Sequence, residues 1–288
     1  MLLLFLIATW GTQFHVIKFS VSQIPGSVSV FYRFLIVLIL TQVLLFFSDI
    51  KSSSEGKAAR IVLALARALS FLLIYQAQKS LLSSQTMTLM LLHPVIIFLL
   101  EPFLIGSARY NGKIFAALAL GLAGTWMFVA SFPVLTPEIQ GAVGITVIAA
   151  VFEGLTKIYS KKTVQRDNPL IVLRDLSLVS CAVSLIVMKG QGTGFYFKEI
   201  LSEAWLPVCY LGLFCSFLSN LAFFKVIKEM PISQYSFMAY VYVLVAFVID
   251  LGMGLQKLSL LNALGVCCLF AGSFLLRHKP PTAPRLIT

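Results

Sequence analysis

Charged residues are scarce in this chain: Asp, Glu, Lys and Arg make up 11% of its 288 residues, whereas 59% are apolar. Ordinary soluble domains carry about 25% charged and about 45–50% apolar residues. A chain of this length could not hide so much apolar surface from water, so a soluble domain is excluded. Its long uncharged runs can each cross the roughly 30 Å hydrocarbon layer as a helix. The composition therefore predicts an all-α integral membrane protein.

Side chains that build metal sites and enzyme centres are also few. The chain has three histidines and five cysteines, and the cysteines lack the spacing of metal ligands. It contains no HExxH or GxSxG motif, no phosphate-binding loop of the GxxxxGKS or GxxxxGKT type, and no aspartate pair on one helix face. We therefore expect no enzyme, no metal and no cofactor. The net charge of +11 does not indicate nucleic acid here, because membrane proteins collect Lys and Arg in cytoplasmic loops.

Ten apolar spans can be placed between segments rich in turn-forming or charged residues. The intervening loops are too short for a soluble domain, and most of their Lys and Arg lie on the side of the N-terminus. This asymmetry predicts that both termini are cytoplasmic, in a plasma membrane that we expect to be the bacterial inner membrane. The predicted spans are 1–22, 27–48, 60–79, 83–105, 112–132, 139–160, 170–188, 204–227, 232–254 and 259–277.

The second half of the chain resembles the first. A shift of 149 residues places YQAQKSLLSSQ (75–85) on FKVIKEMPISQ (224–234), and it also places Glu101 on Asp250. Each half has five spans, an odd number, so the second copy crosses the membrane in the opposite direction. Inverted repeats are common among secondary transporters, which bind their substrate near the midplane between the repeats. We predict one five-helix repeat at 1–132, a second, inverted repeat at 139–277 and a cytoplasmic tail at 278–288.

Three segments carry a family pattern: ATWGTQFHVIKFSVSQIPGSVSVFYRF, HPVIIFLLEPFLIG followed by LALGLAGTWMFV, and YLGLFCSFLSNLAFFKVIKEMPISQYSFM. Together they resemble the drug/metabolite transporter superfamily, in particular its EamA-like ten-helix transporters. The resemblance implies a cavity lined by helices 1 to 4 and 6 to 9, with helices 5 and 10 outside. The chain departs from the pattern where Gly106 is followed by Ser107 instead of Glu. It departs again where Tyr242-Val243 replaces the usual proline of helix 9.

These features indicate a secondary active transporter that moves a small polar or zwitterionic organic metabolite, such as an amino acid, by alternating access. A coupling proton or a counter-substrate would drive the cycle, and the protein would act in the lipid bilayer as a monomer or homodimer. A carrier for a nucleotide-like or sulphonium metabolite, such as S-adenosylmethionine, is the alternative, because cations, an anion and aromatic rings are mixed in the spans. A membrane-embedded enzyme is the weakest alternative.

Ionisable residues deep in the spans are the candidates for the binding site, because a charge at the membrane centre costs roughly 2.5–3.5 kcal/mol on insertion scales. Glu153 and Lys157, four residues apart on one helix, either neutralise each other or offer opposite charges to a zwitterion. Gly11 beside Trp10 would let a neighbouring helix or a ligand approach closely. The predicted substrate-binding residues are Trp10, Phe14, Arg67, Tyr75, His93, Glu153, Lys157, Asn220 and Tyr242.

The fourth span contains Pro94, which has no N–H to donate to the carbonyl of Met90. We predict a helix kink there, with the freed carbonyl and His93 forming a polar wall; a purely structural histidine is the competing interpretation. Glu101 and Asp250, near opposite ends of the bundle, are predicted to bind protons or act as gates.

Three basic residues lie close to the ends of spans and not near their centres. A long basic side chain in such a position can reach the membrane interface with its charged group. We therefore predict that Lys18, Arg33 and Arg174 are anchors at the interface or contribute to the positive charge that orients the chain.

Overall fold

The computed structural model describes residues 1–50, 56–106, 112–130, 136–230, 235, 239–257 and 259–275. The predicted tail at 278–288 lies outside this range. The helices follow the ten predicted spans, except that α9 begins earlier than expected and the fourth span is divided into α4 and α5. The helices are α1 (Leu2–Gln23), α2 (Gly26–Phe46), α3 (Lys57–Ala77), α4 (Ser83–Met90), α5 (His93–Leu104), α6 (Gly112–Ala130), α7 (Pro137–Val164), α8 (Pro169–Gly190), α9 (Phe197–Glu229), α10 (Ala239–Gly252) and α11 (Leu260–Leu275).

The helices have the length and surface expected of membrane spans. Among the described residues, eight helical segments are long and apolar enough to cross a membrane, with α4 and α5 counted together, and α10 and α11 are shorter apolar helices. Large apolar side chains point outward from many of them, which suits contact with lipid and not with water. Examples are Phe46, Phe103, Trp126, Ile186 and Phe274.

Helix packing follows a two-fold pattern. α2 packs on α8 and α6 packs on α11, so equivalent spans of the two halves pair with each other. The third span of each half packs on the first span of the other half: α3 packs on α7, and α9 packs on α1. The first span of each half also packs on the fourth span of the other half: α1 packs on α10, and α7 packs on α4 and α5. α6 and α11 meet closely because a Cβ on Gly124 would lie only 2.9 Å from the carbonyl oxygen of Gly265. The helices other than α2, α6, α8 and α11 surround a space between the halves.

The fourth span is interrupted at Leu91 and Leu92, between α4 and α5. Pro94 cannot donate to Met90, so the regular helical bond at this point is missing. The N–H of Leu91 instead bonds to the carbonyl of Thr88 at 3.0 Å, a three-residue spacing that tightens the end of α4. The interruption lies beside the central space.

α9 contains two segments of π-helix, Ile200–Ala204 and Tyr210–Leu218. Such segments are rare and occur frequently at functional sites, because the wider turn changes which backbone groups are paired. In the second segment, the carbonyl of Cys215 accepts a hydrogen bond from Trp10 Nε1 at 3.2 Å. The π-helix thereby fixes the indole at the edge of the central space.

Candidate substrate-binding cavity

A cavity lies between the two halves of the chain and is lined by residues of both. Of the nine predicted substrate-binding residues, Tyr75 does not line it; this residue is fully buried and accepts a hydrogen bond from Arg33 Nη1 at 3.3 Å. The other eight line the cavity, together with residues that the sequence did not single out. The full lining is Trp10, Gln13, Phe14, Arg67, Phe71, Ile74, Met87, Met90, Leu91, His93, Glu153, Lys157, Cys215, Asn220, Tyr235, Ala239 and Tyr242.

Three charged side chains from α3 and α7 form a buried group in the cavity wall. Glu153 Oε1 lies 3.1 Å from Lys157 Nζ, and both carboxylate oxygens lie 3.3 Å from Arg67 Nη1. Arg67 Nη2 donates to Asn220 Oδ1, also at 3.3 Å. Glu153 is therefore shared by two cations, and the group keeps a net positive charge. The sequence predicted the helical pair but not that Arg67 joins it.

Lys157 also lies against aromatic rings. Its Nζ is 4.0 Å from the ring centroid of Trp10, 4.4 Å from that of Phe223 and 5.8 Å from that of Tyr235. These are cation–π distances, and such contacts are stronger in a site from which water is excluded. The hydroxyls of Tyr235 and Tyr242 are 2.9 Å apart, which ties the rings together. The cavity thus contains an aromatic box that already holds an ammonium group.

Gly11, next to Trp10, serves helix packing. A Cβ at this position would lie 2.7 Å from Cγ1 of Val245 on α10. Of the two roles that the sequence allowed for this glycine, the structure shows the approach of a helix.

His93 closes the gap that Pro94 opens. Its Nδ1 lies 2.6 Å from the carbonyl oxygen of Met90. Since a carbonyl can only accept, Nδ1 carries the hydrogen, and Nε2 of the neutral ring is an acceptor. The freed Met90 carbonyl was expected to face the cavity unpaired or hydrated; it is instead paired with the imidazole of His93. His93 both lines the cavity and holds the broken helix in shape.

Arg33 is buried, with 1% of its surface exposed, so the expectation of an anchor at the interface was wrong. Its side chain turns inward because polar groups are available there: Nε donates to Ser216 Oγ at 2.6 Å and Nη2 donates to Gln13 Oε1 at 3.2 Å. Its guanidinium carbon lies 4.2 Å from the centroid of the Phe71 ring, and that of Arg67 lies 5.3 Å from it. Two arginines therefore contact one ring of the cavity wall.

Lys18 and Lys161, in the first span of each half, each bind a row of backbone carbonyls. We call these two arrangements the lysine clamps. The ammonium of Lys18 donates to Gln78, Lys79 and Leu81, at 2.8, 3.3 and 2.9 Å. That of Lys161 donates to Ile227, Lys228 and Met230. The two sets of carbonyls are related by the same 149-residue shift that aligned the halves, so the clamps are equivalent. Lys18, too, is more than an anchor at the interface.

Each clamp has an acidic residue in its electrostatic neighbourhood, Asp250 for Lys18 and Glu101 for Lys161. Both carboxylates are buried, at 0% and 2% exposure. Asp250 Oδ1 lies 2.8 Å from His15 Nε2, and Oδ2 accepts the backbone N–H of Ser84 at 2.9 Å. Because the first spans of the two halves run in opposite directions, the clamps lie at opposite ends of the bundle.

Metal ligation has no support in the described part of the chain. No group of three His, Cys, Asp or Glu side chains there could hold a metal ion. The five cysteines are all free thiols, and Cys181 and Cys215 are buried in the apolar interior.

The chain matches the model of the EamA-like transporter family twice, over residues 1–130 and over residues 140–277. It belongs to the EamA-like transporter family. A solved structure, described as "Crystal structure of protein", shares the fold of this EamA-like protein at a TM-score of 0.75 and 15% sequence identity. The match covers 96% of this chain and 95% of that one. No curated protein matches the sequence.

Family membership establishes that this EamA-like protein is an integral membrane transporter of small molecules. The family model matches each half separately. Together with the ten apolar helices, this confirms the predicted all-α fold of ten transmembrane helices in two inverted five-helix repeats. Members of the family are transporters and not enzymes.

Proposed function

We propose that this EamA-like protein is a secondary active transporter that binds a small polar or zwitterionic organic metabolite, an amino acid or a similar solute, in the central cavity. The observation that carries the proposal is the convergence of Arg67, Glu153, Lys157 and Asn220 in one cavity between the repeats. Secondary transporters with inverted repeats bind substrate in this position.

The charges suit a solute with both an anionic and a cationic group. Glu153 offers a carboxylate to a substrate ammonium, and Arg67 offers a guanidinium to a substrate carboxylate. In the present conformation these two side chains bind each other at 3.3 Å, so they neutralise part of the buried charge when substrate is absent. A zwitterion would exchange places with this internal pair.

A nucleotide-like or sulphonium metabolite is the second candidate, and the aromatic box favours it. Trp10 and Phe223 lie within 4.4 Å of a bound ammonium group, so the box already accepts a cation. A substrate cation could occupy the box if Lys157 moved out of it. Measuring which class of compound, zwitterions or nucleotide-like and sulphonium metabolites, displaces the other from the protein distinguishes the two candidates.

The lysine clamps act as gates in this proposal. Both are formed in the present conformation, so each must open in turn for the cavity to be exposed first to one side of the membrane and then to the other. Glu101 and Asp250 would bind the coupling proton or respond to the counter-substrate. We place both termini in the cytoplasm and the protein in the bacterial inner membrane, on the distribution of Lys and Arg.

The test is a thermal-stability screen of the purified protein with amino acids, nucleotides and sulphonium compounds, followed by transport in proteoliposomes. A true ligand at a hundred times its Kd stabilises the folded state by about 2.7 kcal/mol. The variant Arg67→Gln should lose this stabilisation and the transport. The matched control is Arg174→Gln, which changes an arginine that binds the neighbouring Asp175 instead of the cavity residues. Equal binding and transport by both variants would refute the proposal that this cavity is the binding site.

A further inference from the structure

The interior of the bundle contains more positive than negative charge around the cavity. Arg67 and Lys157 share Glu153, while Arg33 binds the uncharged groups of Ser216, Gln13 and Tyr75. Among the described residues, Arg33 forms no ion pair. A buried charge is normally neutralised by a partner or by a ligand. The excess of cations therefore indicates a ligand that brings negative charge.

Arg67 has a donor that the protein leaves unused. Its Nη1 bonds to Glu153 and its Nη2 bonds to Asn220, but its Nε is buried and has no hydrogen-bond partner among the described residues. The Nε and one Nη of a guanidinium form an edge whose two N–H groups fit both oxygens of a carboxylate. Arg67 is one of the residues that line the cavity, so the unused donor belongs to a side chain of the cavity wall.

Resting on the proposed function, we propose that the substrate is a small organic anion whose carboxylate binds the Nε–Nη2 edge of Arg67, with Arg33 contributing positive charge across Phe71. Asn220 releases Nη2 when the anion arrives, which is feasible because that bond is long, at 3.3 Å. Gln13, a residue of the cavity lining, accepts a hydrogen bond from Arg33 and so connects this second cation to the cavity wall.

The charge count narrows the substrate class. A zwitterion would leave the excess charge of the site unchanged, whereas a solute with at least one more negative than positive group would reduce it. We therefore assign the site to net-negative carboxylates, such as dicarboxylates or acidic amino acids, in preference to neutral zwitterions or amines.

A series of four five-carbon probes tests this assignment: glutarate, glutamate, glutamine and 1,5-diaminopentane, in order of decreasing negative charge. Thermal stabilisation of the protein should follow this order, and proteoliposomes should accumulate the two anions in preference to the other probes. Arg67→Gln should bind glutarate about 10–100-fold more weakly, since hydrogen bonds to charged groups are lost. Arg67→Lys should recover part of the preference for anions, because lysine restores the positive charge but not the two-donor edge of the guanidinium.

The Arg67 variants should still fold, because Lys157 continues to neutralise Glu153 when Arg67 is changed. Arg174→Gln serves as the matched control. An order that is unchanged in Arg67→Gln, or stabilisation by glutamine or diaminopentane but not by the anions, would overturn the anion assignment while leaving a solute-binding cavity. If no compound of this series or of the broader metabolite panel stabilises the protein or is transported, the proposed function fails as well.

Discussion

Replacing Glu153 with glutamine removes the carboxylate that Arg67 and Lys157 share, while it keeps the shape of the side chain. Glu153 lies 3.1 Å from Lys157 and 3.3 Å from Arg67, and it is 8% exposed. Removing one member of a buried ion pair typically costs about 3–5 kcal/mol, because the remaining charge has lost its partner. Here two cations would remain, so we expect a loss at the upper end of that range.

The comparison variant is Lys157→Met, which leaves the pair between Arg67 and Glu153 intact. Its loss should be about 1–2 kcal/mol, mainly from the cation–π contacts with Trp10 and Phe223. Thermal unfolding in detergent measures both effects. Since 1 kcal/mol corresponds to about 2–4 °C in chains of 150–250 residues, Glu153→Gln should melt on the order of 10 °C below the wild-type protein.

Transport separates a functional carboxylate from a neutralising one. Glu153→Gln should abolish transport in proteoliposomes, and adding Lys157→Met should recover stability without recovering transport. Normal transport by the double variant would show that the two residues serve each other and not the substrate. A melting temperature of Glu153→Gln equal to that of the wild type would refute the charge reasoning itself.

Three further predictions concern the kink, the gates and the topology. Pro94→Ala should stabilise the protein by less than the roughly 3 kcal/mol that an interior proline normally costs, because the Met90 carbonyl that Pro94 leaves free already has an imidazole partner. Transport should fall in this variant. Unchanged transport would show that the break in the fourth span serves only helix packing. Lys18→Gln and Lys161→Gln should each increase the labelling of a cysteine placed in the cavity, from the end of the bundle where the changed lysine lies. Increased labelling from the same end in both variants would rule out separate gates. Cysteines at Gln165 and Gly194, both exposed, should react with impermeant reagents from opposite faces of the membrane, the first from the cytoplasm; reaction from one face would contradict the predicted topology.

The fold was predictable because its signals are strong and local. Long apolar runs locate spans, and an odd number of spans in each half implies inversion. The aligned segments 75–85 and 224–234 later proved to contain the carbonyls that the lysine clamps bind. Eight of the seventeen residues that line the cavity were predicted, for a related reason. Few polar residues lie deep in the spans of this chain, and they face one another in the interior of the bundle because exposure to lipid is costly.

The predictions that were wrong concern the direction in which a side chain points around its helix axis, which the position of a residue along its span does not reveal. Arg33 lies near the start of α2, so it was expected at the interface, but its rotation about the helix axis points it toward Ser216. Tyr75 was expected at the cavity and instead supports Arg33 from the side. The π-helix at Tyr210–Leu218 was not predicted, because no pattern in the sequence distinguishes its backbone pairing from that of an α-helix.

If the clamps are gates as proposed, they would also explain why an inverted repeat suits alternating access. A transporter can cycle only if its outward-open and inward-open states have comparable free energies, since a strongly favoured state would trap it. Two clamps built from one lysine and three equivalent carbonyls satisfy this requirement, because the bonds broken on opening either end are nearly the same. The repeats differ three residues before each lysine, where His15 binds Asp250 in the first half and Ile158 stands in the second. In the proposed cycle, the symmetric clamps would keep the two states close in energy, whereas His15 distinguishes one end of the bundle from the other.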